Sequence, residues 1–344
     1  MSPKNEIRQK TDSERPAIEW ELAPPYGSKT VLIILVVVIV MIVSGNHTKI
    51  DRMFYLMGEA VGNIVGLNDS SQVVSGTKNI ARSMFPLQFS ETTEVSRIEN
   101  FDPKDLPMFS TLKSKQTSVT RVNPQTLALE KTTTTRTVLY NPIGYFMHVL
   151  RKMLETIEIA IWATLFGIII SIPLTYCSAA NYTRNRLTYG FARGAVSMFR
   201  AIPELISAMF LVLAFGFGPI AGILALAIHS AGFLGKFYAE DIENADSGPQ
   251  EALRAIGVSK IKTLRYAVLP QVLPQYVAYN MYILDRNVRM ATVIGLVGAG
   301  GIGQELKGRY DLFDYGHVST ILMMIFLTVF ALDHISGRIR SKLI

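Results

Sequence analysis

The chain is poor in cysteine, tryptophan and charge. Only 18% of its 344 residues are Asp, Glu, Lys or Arg, against about a quarter in an ordinary soluble domain. The single cysteine, Cys177, lies in the apolar run PLTYCSAA, which excludes a disulfide framework and a cysteine-based metal site and suits a small buried hydrophobe. No group of His, Asp and Glu has metal-ligand spacing, and neither a nucleophile elbow nor HExxH occurs. No metal, no cofactor and no catalytic residue is therefore expected in this chain. The formal charge of +7 is not gathered into a basic, aromatic-studded stripe, so a nucleic-acid partner is not expected either.

What the chain has instead is hydrophobic mass. It is 49% hydrophobic, with a mean hydropathy of +0.28, the balance of a membrane protein. TVLIILVVVIVMIVSG, residues 30–45, follows a polar, basic stretch holding Lys4, Arg8, Lys10, Arg15 and Lys29, and it follows Pro24-Pro25. About 20 residues cross the hydrocarbon, and the flanks of this run can extend it to a transmembrane anchor. As a signal peptide it fits poorly, because 29 residues precede it and no small-x-small site closes it.

Further apolar segments run at roughly 152–180, 188–217, 218–244, 262–297 and 317–337. About six transmembrane helices place both termini on one side. Arg184, Arg186 and Arg193 lie in or beside the short link at 181–193, and Arg338, Arg340 and Lys342 lie in the C-terminal tail. The link at Gly216-Phe217-Gly218-Pro219 has no charge. The excess of basic residues on cytoplasmic loops then predicts a cytoplasmic N-terminal tail at 1–29, cytoplasmic links at 181–190 and 245–261, and a cytoplasmic C-terminus. Residues 46–148 become an extracytoplasmic insertion ahead of a membrane core at 149–344. Within the insertion, TSVTRVNPQTLALEKTTTTRTVLYNP is rich in Thr and Val around Asn123-Pro124, which predicts a β-hairpin at about 117–140.

Two phosphate-loop look-alikes need weighing. ATVIGLVGAGGIGQEL, 291–306, contains G-x-G-x-x-G at Gly298, Gly300 and Gly303. A dinucleotide fold requires an acidic ribose ligand about 20 residues further on. That position falls in the apolar TILMMIFL, while Asp311 and Asp314 come too early. Small residues packing tightly where a membrane helix breaks is the better reading. SAGFLGKF, 230–237, has Ser230 where a Walker A loop needs Gly, and Phe237 where it needs Ser or Thr.

The most informative stretch is DSGPQEALRAIGVSKIKTLRYAVLP, 246–270. Gly248-Pro249 opens a short helix, since proline suits the first helical turn, and Gly257 closes it as a C-cap. Glu251, Ala252, Leu253, Arg254, Ala255 and Ile256 lie between. A short helix over 248–258, pinned between two spans, is a lever, or else an ordinary connection.

Glu251-Ala252-Leu253, Gly257 six residues after the glutamate, and Leu269-Pro270 resemble the EAA loop of permease subunits of bacterial ABC importers, with Leu253 replacing the second alanine. RAIPELI (200–206), LALAIHSAGFLGKFYAEDIE (224–243), VLPQVLPQ (268–275) and VIGLVGAGGIGQEL (293–306) look like the phosphonate-transport permease group, over about residues 150–344. The resemblance implies an all-α integral membrane bundle of the type I importer kind, here with a small β-containing extracytoplasmic insertion, in the bacterial inner membrane. It implies no enzyme in this chain. ATP and Mg would be bound by two copies of a separate ATPase, into which the coupling helix docks through Glu251, Ala252, Leu253, Arg254, Gly257 and Pro270. A second copy of this chain and an extracytoplasmic substrate-binding protein complete the assembly. The ligand implied is phosphonate or a related phosphorus oxyanion such as phosphite; phosphate or methionine are alternatives. A secondary transporter would need its own coupling-ion site and internal repeats, and neither is visible.

Polar groups in hydrocarbon are costly and call for an explanation. Arg200 and Glu204, Lys236 and Glu240, and Asp285 and Arg289 each stand four apart, with Arg286 beside the last pair. Pairing on one helix face is one reading. The other is that Arg286 or Arg289 lends positive potential to an anion's path, with Asp285, Arg200 and Glu204 along it. His229, Tyr266, Trp20 and Trp162 read as packing or interface anchors.

Overall fold

The computed structural model of the protein describes residues 27–67, 70–98, 101–103, 106–107, 109–122 and 129–343. Trp20 and the Asn123-Pro124 turn lie outside the described residues. Two units make up the chain, residues 1–78 and 79–344.

In the first unit α1 (Ser28–His47) is apolar on all sides, and its side chains from Val31 to Val43 are exposed, as suits a helix whose solvent is lipid. Over Lys29–His47 its hydropathy reaches 2.5. The following α2 (Ile50–Val65) is amphipathic: Ile50, Met53, Phe54, Met57, Val61 and Ile64 recur every three or four residues, with Asp51, Arg52 and Glu59 between them.

α3 (Gln72–Met84) leads into the second unit. Three strands follow, β1 (Glu91–Glu94), β2 (Thr111–Val122) and β3 (Leu129–Asn141), in the order β1-β3-β2, all antiparallel. The β2–β3 register runs from Thr111 opposite Tyr140 to Val122 opposite Leu129. The ladder thus starts six residues before the predicted 117, because Thr111 to Gln116 also pair. Arg136 of β3 donates to Glu94 at 2.6 Å.

The helices of the core are α4 (Gly144–Ser178), α5 (Arg186–Ala201), α6 (Glu204–Phe215), α7 (Pro219–Asn244), α8 (Ser247–Ala255), α9 (Lys260–Thr263), α10 (Leu269–Gly295), α11 (Gly301–Asp311) and α12 (Tyr315–Leu343). Among the described residues four helices are long and apolar enough to cross a membrane (α1, α4, α7 and α12), or five if α5 and α6 form one bent span. α10 has 27 residues but carries Asp285, Arg286, Arg289 and several amides, and it is not among those apolar spans.

One expected span is not a single helix. The segment at 188–217 breaks at Ile202-Pro203, and α5 and α6 meet at 91°. Proline disfavours the α conformation in the residue before it; Ile202 is extended, at φ −81° and ψ 122°. The segment at 262–297, by contrast, is continuous. α9, a π-helical turn at Leu264–Val268 and α10 form one unbroken helix. Pro270 has no N–H for the carbonyl four residues back and would clash with it; the wider π turn beside it accommodates the fault.

Packing relies on small residues, as is usual where lipid-like surroundings remove the hydrophobic drive between helices. A Cβ on Gly167 of α4 would come within 2.7 Å of Ser230 Cβ on α7. Next to this contact, Asn287 of α10 donates to Thr164 Oγ1 at 2.9 Å and to Ser230 Oγ at 3.0 Å. All three side chains are buried, so α4, α7 and α10 are joined by a satisfied polar network.

Candidate functional site

α8 is set by its own ends. Asp246 caps it, accepting from Gly248 N at 3.0 Å. At the other end Gly257, at φ +79°, donates to the Arg254 carbonyl at 3.0 Å, and Val258 donates to the Leu253 carbonyl at 3.1 Å. That pair of bonds is a Schellman close, which wants glycine for its left-handed residue. The helix therefore covers 247–255, shorter at its C-terminal end than the predicted 248–258. Glu251, Ala252, Arg254, Ile256 and Gly257 are exposed and Leu253 is half-buried.

Only Gln250 of α8 is buried. Its amide donates to the carbonyls of Ala245 and Asp246 and accepts from the Tyr182 hydroxyl at 3.1 Å. Burial pushes the Tyr182 hydroxyl pKa up, with the Arg254 charge pulling against it. Gln271 of α10 accepts from Asp246 N at 3.0 Å. At the end of α7, Glu243 accepts from Ala180 N at 2.8 Å and from Arg193 Nη2 at 2.7 Å. α8 is thus tied through Gln250 to the α4–α5 link and through its cap Asp246 to α10, while its other face is open. None of these straps was visible from local pattern. The signal for Gln250 was only a polar residue on the inner face of an amphipathic turn.

The glycine-rich turn has a different nature. Gly300, at φ +84°, precedes α11, whose first N–H groups are the usual seat of a phosphate. Here Glu155 of α4 accepts from Gly301 N at 3.0 Å, and Thr156 Oγ1 accepts from Ile302 N at 2.8 Å. The chain's own carboxylate fills the place a pyrophosphate would take. A Cβ on Gly303 would lie 2.0 Å from the Thr292 carbonyl oxygen. Beyond the turn, Glu305 accepts from Tyr145 at 3.3 Å and from Arg309 at 3.0 Å, and pairs with His148 at 3.2 Å. Burial would raise the Glu305 pKa, but hydrogen bonds from Arg309 and His148 hold it below the ordinary carboxylate value. His317 links Asp314, at 2.7 Å, to the Ser90 carbonyl at 3.1 Å.

The intramembrane charges pair differently from the expectation for one of three couples. Lys236 and Glu240 meet at 3.5 Å, and Arg289 meets Asp285 at 2.7 Å. Arg200 and Glu204 do not pair, because the break at Ile202-Pro203 puts them on different helices. Glu204, at the start of α6, receives Arg286 of α10 and stands 3.1 Å from His229 Nε2 of α7. Arg286 Nη2 also stands 2.9 Å from His229 Nε2, and His229 Nδ1 stands 3.3 Å from the Ile202 carbonyl. His229 is a member of this cluster and not mere packing. The sequence signal for it was a histidine inside an apolar run. Tyr266 is exposed in the π turn and Trp162 is exposed on α4.

A family model described as "Binding-protein-dependent transport system inner membrane component" matches residues 163–341. The chain is 58% identical over 261 residues, 76% of its length and 100% of the relative's, to HtxE of Stutzerimonas stutzeri, named for a phosphite transport system permease. It is 42% identical over 122 residues, 36% of its length and 100% of the relative's, to PhnE2 of Escherichia coli, named for a cryptic phosphonate transport system permease. Among solved structures, an inward-facing conformation of the MetNI methionine ABC transporter superposes with a TM-score of 0.51 at 24% identity, covering 57% of this chain and 96% of that one. This last likeness speaks to the fold.

Proposed function

The chain belongs to the binding-protein-dependent transport system inner membrane components, and on that premise we propose that it is the permease subunit of an ATP-driven importer of phosphonate or a related phosphorus oxyanion such as phosphite. Membership makes it a multi-pass protein of the inner membrane that works with an ATPase and a substrate-binding protein. The ligand class rests on the relatives named for phosphite and phosphonate transport. The observation that carries the mechanism is α8: a short helix exposed along Glu251 to Gly257, yet strapped through Gln250 to the bundle.

In this reading two copies of the chain form the pore and each α8 docks in one ATPase. Glu251, Ala252, Leu253 and Arg254 face the socket, Gly257 supplies the turn, and Pro270 sets the entry of α10. ATP closure draws the two α8 helices together and opens the bundle outward to the loaded binding protein; hydrolysis resets it. ATP and Mg belong to the partner. The tail 1–29 and the C-terminus lie in the cytoplasm, 46–148 is an extracytoplasmic insertion, and 149–344 is the permease core. The path passes Arg200, Glu204, Asp285, Arg286 and Arg289.

The test is ATP turnover by the reconstituted complex of chain, ATPase and binding protein, offered methylphosphonate, phosphite, phosphate and methionine in turn. Stimulation by a phosphorus oxyanion, lost in Gly257→Glu, is expected. Stimulation by methionine alone would overturn the ligand, and failure of the ATPase to associate would overturn the role of α8.

A further inference from the structure

Two arginines from different helices reach the same aromatic ring. The guanidinium carbons of Arg200, near the end of α5, and Arg286, on α10, lie 4.9 and 5.0 Å from the centroid of Phe233 on α7. Their charges are not evenly matched. Arg286 gives Nη2 to Glu204, but its Nη1 is buried without a hydrogen-bond partner among the described residues. The buried Nε of Arg200 is likewise without a partner there. His229 adds no negative charge in either form: with Nδ1 donating to the Ile202 carbonyl, a bare Nε2 accepts from Arg286, and a protonated Nε2 donates to Glu204 3.1 Å away. The neighbouring Asp285 gives its Oδ2 to Arg289, while its buried Oδ1 has no hydrogen-bond partner among the described residues.

The group thus holds two cations against one carboxylate, deep among membrane helices. An uncompensated buried charge and an unmade hydrogen bond are both costly, and one ligand removes both costs: an anion with several acceptor oxygens. Guanidinium groups match that geometry, each N–H finding its own oxygen.

We propose that Arg200 Nε and Arg286 Nη1 form a resting site, beside Phe233, for one tetrahedral oxyanion on its way across the membrane. The proposal rests on the importer reading and narrows it, because it takes Arg289 out of the site and brings His229 in as the group that steers Arg286. Glu204 has a second task there. A path must hold its ion strongly enough to admit it and weakly enough to release it. The resident carboxylate offsets part of the positive charge, so the oxyanion is held loosely.

This makes a test that a purely structural cluster would fail. Radiolabelled phosphite and methylphosphonate are bound at equilibrium to the complex of chain and ATPase in lipid, without binding protein. Uptake into proteoliposomes is then measured with saturating loaded binding protein. Arg200→Gln should weaken binding and slow uptake by more than about tenfold, with Arg200→Lys recovering part of both. Glu204→Gln should tighten binding while slowing uptake. Co-purification with the ATPase reports folding, and Glu204→Gln/Arg286→Gln, which removes both charges at once, serves if a single change misfolds; it too should lose the anion. Binding and uptake within about twofold of the native complex in Arg200→Gln would overturn the site, as would a Glu204→Gln variant that loses both in step. Absence of uptake of any phosphorus oxyanion by the native complex would remove the transport reading alone. The site would then be judged by binding of phosphite or sulfate: loss in Arg200→Gln sustains it, and no binding to the native complex ends it.

Discussion

α8 and α11 are both short helices at bends of the same bundle, flanking α10, and they are held in opposite ways. α8 closes itself: its caps come from Asp246 and Gly257, and a single buried side chain, Gln250, ties it down. α11 is closed by another helix, through Glu155 and Thr156, with Gly301, Ile302 and Gly303 buried. A helix capped by itself and exposed on one face can move as a body while staying folded. A helix whose first N–H groups belong to α4 cannot leave without breaking two bonds and opening a close backbone contact. The first arrangement suits the lever proposed for α8, and the second suits a lock.

The contrast can be broken most sharply at Gly303. Gly303→Ala should cost about 3 kcal/mol of stability, since the obstructing atom is a backbone oxygen that cannot swing away. A fall in the melting temperature of the purified chain reads this, and an unchanged melt would mean that the α10–α11 contact is no lock. Glu155→Ala comes next, at about 1–2 kcal/mol, the usual loss of a cap. Because the carboxyl is about a quarter exposed, and it also holds Lys152 at 2.8 Å, the lower half of that range is expected by the same melt. Gly257→Ala is the mildest for stability, about 1 kcal/mol, because its Cβ meets nothing and only the left-handed backbone is strained. In ATP-turnover coupling the order should invert. Gly257→Ala uncouples most per molecule folded, and Gly303→Ala and Glu155→Ala lower activity only as far as they lower the amount of folded chain. Equal coupling loss in all three would erase the distinction between lever and lock.

How much of this was legible follows the range of the forces involved. Apolar runs announce lipid, so α1, α4, α7 and α12 needed no partner to be read. The dense Thr and Val from 117 onward likewise mark the two strands, though not the pairing of 111–116, and Gly248-Pro249 and Gly257 announce the ends of α8 because such end signals act within a few residues. The bend at Ile202-Pro203 was within reach, as a proline inside RAIPELI that an assumption of one straight span passed over. The partners were not. Glu204 finds Arg286 82 positions away, and Gly301 finds Glu155 146 positions away. Spacing within one helix had proposed Arg200 for Glu204, a pairing that tertiary geometry overrules. The glycine motif misleads for a related reason: the local turn is the one a nucleotide would want, and the carboxylate that fills it comes from a distant helix.

The π turn at Leu264–Val268 has a consequence for how such chains diverge. A π turn accommodates one residue more than an α turn. Removal of one residue there would restore an ordinary helix and rotate everything on one side of it against the other by about 100°. The exposed face of α8 and the arginine-bearing face of α10 lie on opposite sides of that turn. A single deletion there would therefore re-phase the exposed face of α8 against the arginine-bearing face of α10, leaving both surfaces unaltered in composition.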